Sequence, residues 1–77
     1  MDKRELALGV ARLREDIVLM TVTQRIKDEA VRIFLDATSS LERIEKAHET
    51  IRGLSALERA FAEIEGDSAI AEKRGKA

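Results

Sequence analysis

Residues Ile17 to Leu35 read IVLMTVTQRIKDEAVRIFL and form the most apolar stretch of a heavily charged chain. Read as a helix, Ile17, Val18, Leu19, Met20 and Val22 point almost all round the axis, and a helix apolar on every side has to be enclosed. Outward from this stretch, the apolar residues before it fall at Leu6, Val10, Leu13, Ile17 and Met20, alternating steps of four and three. That is a heptad-like seam, flanked by Arg12, Arg14, Glu15 and Asp16. A second stripe, Leu19, Val22, Ile26, Ala30, Ile33 and Ala37, begins before the first has ended. The spacing predicts one continuous helix over residues 3–37, on the order of 50 Å long at 1.5 Å per residue, with Thr21 and Thr23 as its weakest helix formers.

Beyond it, Ala37-Thr38-Ser39-Ser40 reads as a tight turn, in which Ser39 or Ser40 accepts from the free N–H groups of the next helix. A second helix over 40–52 places Leu41, Ile44, His48 and Ile51 on one face and pairs Glu42 with Lys46. Gly53 interrupts the pattern, and Ser55-Ala-Leu-Glu58 has the form of a capping box. A third helix is therefore expected over 55–65, with Leu54, Leu57, Phe61 and Ile64 as its apolar face. Gly66 would end it and leave 67–77 as a short helix or frayed tail.

Composition narrows the function classes. Seventy-seven residues make one small all-α domain. Such a chain buries a small share of its surface, and without cysteine it has no disulfide to support it. Association with further copies is the expected remedy. The 14 Lys and Arg against 15 Asp and Glu give a net charge of −1, with no global pull toward nucleic acid or anionic lipid. No run approaches the roughly 18 apolar residues of a membrane span. Charge interrupts MDKRELALGVARLRED before a secretory core forms, so the expected location is the cytoplasm.

Catalytic chemistry finds little support. The chain has one His, no Cys and no Tyr, and its four glycines (Gly9, Gly53, Gly66 and Gly75) are too scattered to make a phosphate loop. We expect no enzyme activity and no cofactor. The one ligand-like spacing is Glu45-Lys-Ala-His48, since Glu-x-x-His on a helix is half of a di-iron carboxylate motif. In these four residues the chain resembles the two-helix encapsulated ferritins. That resemblance implies a metal site completed across a dimer, with Glu29 folded back to the level of His48. The plainer reading makes His48 a core position and Glu45 a solvated charge.

Val18 to Arg25, VLMTVTQR, also alternates as a strand would. Followed by helices over 24–36 and 40–52, it resembles the ribbon-helix-helix DNA-binding fold. The resemblance implies a dimeric repressor or antitoxin in which Thr21, Thr23 and Arg25 read bases while Ser39 or Ser40 holds a phosphate. In the helical alternative both threonines bond to the preceding turn.

The favoured expectation is an antiparallel helical hairpin, broken near Gly53, whose surplus apolar face closes a homo-oligomeric bundle. The interface residues on the first helix are Leu13, Ile17, Leu19, Met20, Val22 and Ile26, continued by Val31, Phe34 and Leu35. Leu57, Phe61 and Ile64 join them from the other arm. The expected role is an adaptor or regulator in a bacterial or phage system. Its partners are further copies of itself and a second protein, with no membrane and with nucleic acid not favoured. The oligomerising hairpin of a phage small terminase, a DNA-packaging adaptor, is one architecture of this kind.

Overall fold

A computed structural model describes residues 1–75 of the chain. They form three α-helices, α1 (Lys3–Glu15), α2 (Ile17–Leu35) and α3 (Leu41–Gly75), and no described residue lies in a strand.

The single helix expected over 3–37 is in fact two. Asp16 separates them with an extended backbone (φ −72°, ψ 111°), its N–H donating to the Leu13 carbonyl at 3.2 Å. Its carboxylate accepts from the Leu19 N–H at 2.9 Å and caps the first turn of α2. One residue thus satisfies groups at the end of one helix and the start of the next, so the break strands few backbone donors. Asp2 does the same for α1 by accepting from the Glu5 N–H at 2.8 Å. The break also shifts the phase of the apolar seam. Val10 is buried, whereas Ile17, two steps along the heptad seam, is 77 % exposed.

The turn is held without glycine, and no described residue has positive φ. Asp36 Oδ1 accepts from the Thr38 N–H at 2.8 Å and the Thr38 hydroxyl at 2.7 Å. The Ser39 hydroxyl donates to the Ile33 carbonyl, and Ser40 caps α3 by accepting from the Arg43 N–H at 3.2 Å. The two Thr38 bonds, with the nearby Arg43 charge, hold the Asp36 carboxyl below its ordinary value.

Gly53 does not break α3, nor does Gly66, and the separate helices and tail expected there form one helix to Gly75. Neither glycine has another group within 4 Å of where a Cβ would stand, so neither marks a close approach. The cost of a glycine inside a helix is about 1 kcal/mol, which packing along α3 from both α1 and α2 offsets. Glu58, the supposed capping-box acid, instead reaches Arg14 of α1. The last two residues of the expected tail, Lys76 and Ala77, lie outside the described residues.

The molecule measures 58 × 22 × 18 Å, with a radius of gyration of 16.9 Å against about 11.5 Å for a compact domain of this length. Its thickness is about two helix diameters. Among the described residues only Val10, Ala30 and Ala47 are buried apolar positions, and no large side chain is fully enclosed.

Candidate interaction surface

Three apolar surfaces follow from this arrangement. The first lies where the end of α1 and the start of α2 meet α3. Leu13, Leu19, Met20, Leu57 and Phe61 line a hollow of about 270 Å³ there, bordered by Arg14, Thr23, Gln24, Lys27 and Glu58. Its edge is tied by Arg14, which bridges to Glu58 at 3.1 Å and to Glu65. The Arg14 guanidinium also sits 5.5 Å from the Phe61 ring centroid, within cation–π range. Hydrogen bonds to Glu65 and Glu58 raise the Arg14 pKa further above its ordinary value.

The second is a groove of about 470 Å³ between α2 and α3. Ile26, Ala30, Ile33 and Ala47 form its floor, and Arg25, Glu29, Arg43, Lys46 and Thr50 its rim. The two alanines are both buried, and their size permits the helices to approach closely here. Lys46 bridges to Glu42 at 3.4 Å, in the expected i,i+4 pair, and Glu29 to Arg32 at 3.3 Å. The third surface is the outer side of α2, where Ile17, Val31 and Leu35 stand exposed.

The other expected interface residues distribute among these faces. Leu19, Phe61 and Ile64 are half-buried within the chain. Leu13, Met20, Val22, Ile26, Phe34 and Leu57 keep a third to a half or more of their surface. Phe34 packs by its ring on His48, with centroids 4.7 Å apart.

That stacking bears on the metal reading. Glu45 and His48 share a shallow surface with Glu49 and Arg52, while Glu29 lines the groove between α2 and α3. Among the described residues no three His, Asp or Glu side chains are grouped to hold a metal ion. The ribbon-helix-helix reading requires a strand at Val18–Arg25, and those residues are helical. The Thr21 hydroxyl donates to the Ile17 carbonyl at 2.7 Å, and the Thr23 hydroxyl to those of Leu19 and Met20. Each threonine therefore satisfies its hydroxyl locally and leaves its methyl for packing. No helix among the described residues is long and apolar enough to cross a membrane.

The Arg14 clamp and the double role of Asp16 escaped the sequence reading. Asp16 did carry a signal, an acid immediately before an apolar run, but it stands in the charged sequence Arg14-Glu15-Asp16 and reads equally as surface. Compared with protein-family models, curated proteins and solved structures, the chain matches none.

Proposed function

We propose that this chain is a non-enzymatic assembly module, an antiparallel helical hairpin that completes its core by associating with further copies of itself. In that state it serves as an adaptor or regulator for a second protein. The observation that carries this reading is surface area. The chain exposes 6371 Å², whereas a compact monomer of its 8.6 kDa exposes about 4,700 Å². The surplus, roughly 1,700 Å² per chain, exceeds the roughly 800 Å² that each partner contributes to a standard stable interface. Much of it is aliphatic, since Ile17, Val18, Met20, Val22, Val31 and Leu35 are all exposed. Patches of this kind on soluble proteins mark interaction sites.

Native mass spectrometry of the intact chain tests the proposal by reporting chain count and retained mass together. A dimer or larger ring of unmodified chains is expected. A monomer at micromolar concentration would contradict self-assembly.

A further inference from the structure

The outer face of α2 carries a stripe that reads the same from either end. Its outward positions are Ile17, Thr21, Gln24, Asp28, Val31 and Leu35, all exposed and spaced 4-3-4-3-4. Read from either end, that stripe presents an aliphatic residue, a smaller β-branched one, then a polar one. Its midpoint is the level of residue 26. The two ends, Ile17 at 77 % and Leu35 at 80 %, are among the most exposed large apolar side chains in the chain. The same face carries two shallow depressions. One is lined by Ile17, Met20, Thr21 and Gln24 with Arg25 and Asp28, and the other by Asp28, Val31, Arg32 and Leu35 with Asp36. Each contains a set at i, i+3, i+4 and i+7, which is how a helix forms the hole that receives a knob from its partner.

We propose that α2 pairs antiparallel with α2 of a second copy across a two-fold axis at residue 26. This rests on the self-assembly reading above and adds to it the face and the orientation. A two-fold interface requires that residue i meet j and j meet i, and the palindromic stripe meets that condition. The second copy's Val31 enters the first depression and its Met20 the second, while Ile17 and Leu35 cover one another at each end. In the middle, Gln24 of each copy stands opposite Asp28 of the other. Within one chain the Gln24 amide already donates to Asp28 at 2.9 Å, and pairing lets it donate across the axis. Arg25 and Lys27 border this centre and offset the two Asp28 charges. A polar pair in an otherwise aliphatic seam fixes register, because a slipped alignment sets it against aliphatic side chains.

Cysteine cross-linking tests the geometry, since the chain has no cysteine of its own. Ile17→Cys and Leu35→Cys chains are mixed while unfolded, refolded together and oxidised, with helicity checked by circular dichroism. A disulfide needs Cα atoms within about 7 Å, and the two positions lie about 27 Å apart along the helix. The antiparallel pair therefore predicts a mixed disulfide dimer, in excess of either homodimer by more than about tenfold. An assembled protein that instead links Ile17→Cys to itself overturns the orientation. An assembled protein with no cross-link overturns the choice of face. A protein that native mass spectrometry finds monomeric overturns self-assembly itself, and this pairing with it. Met20→Glu gives a second readout and is expected to convert the assembly to helical monomers. An assembly that survives it overturns the seam.

Discussion

At Asp16 one helix ends and another begins, whereas at Gly53 a helix runs on without interruption, although the glycine looks like the stronger stop signal. The difference lies in what each residue offers the backbone. Asp16 supplies an alternative acceptor, bonding the Leu19 N–H while its own N–H reaches the Leu13 carbonyl. Gly53 offers only freedom, which costs little to suppress in a helix that both α1 and α2 pack against. A local break therefore follows from hydrogen bonds gained rather than from stiffness lost. It also bears on the proposed assembly. By ending α1, Asp16 takes Ile17 out of the seam that holds Val10 and leaves it on the outer face of α2.

Substitutions at these two positions separate the explanations, and the largest effect is expected from Gly53→Pro. Proline removes a ladder bond and clashes with the preceding turn, at about 3 kcal/mol or more. Loss of the cooperative thermal transition is the expected outcome, and an unchanged melting curve would mean that α3 is already interrupted there. Next comes Asp16→Ala, which deletes the cap. A loss of about 1 kcal/mol is expected, seen as a fall in Tm of about 4–8 °C for a chain of this size.

Gly53→Ala should act in the opposite direction. The added methyl meets nothing within 4 Å, so a gain of about 0.5–1 kcal/mol in chemical denaturation is expected. A destabilised Gly53→Ala protein would show that something packs against that position. The smallest effect concerns the turn. The folded-state pKa of Asp36 is depressed below its ordinary value of 3.8. Its contribution is therefore present above that value and fades as pH falls through the lower folded pKa. Thr38→Ala should lower neutral-pH stability slightly and flatten the loss in an acid titration by the same amount, so that wild type and variant converge at low pH.

The all-helical character was legible because the apolar spacings of three and four persist from Leu6 onward, with no proline to interrupt them. The turn was legible too, since Ser40 caps α3 as its side-chain chemistry suggested. Where the long first helix divides was harder to see. Leu6, Val10, Leu13, Ile17 and Met20 make an unbroken heptad, and only the overlap of two stripes over 17–22 signalled a change of phase. The continuity of α3 could not be read locally at all, because Gly53 and Ser55-Ala-Leu-Glu58 carry a true boundary pattern. What overrides it is packing from α1 and α2, together with Glu58 being drawn to Arg14. The exposed aliphatic surface was legible as an excess of aliphatic residues. Dividing it into an internal seam and an outer face required the position of the break.

If the chain finishes its core with another copy, its stability depends on protein concentration. The most direct measurement is thermal unfolding followed by circular dichroism over about a hundredfold range of protein concentration. Anything that binds only the folded state raises its stability by mass action. Self-assembly predicts a Tm that climbs steadily with concentration, in step with the population of assembled chains. A Tm that stays constant across the range would mean that the three helices are stable alone, and would contradict it.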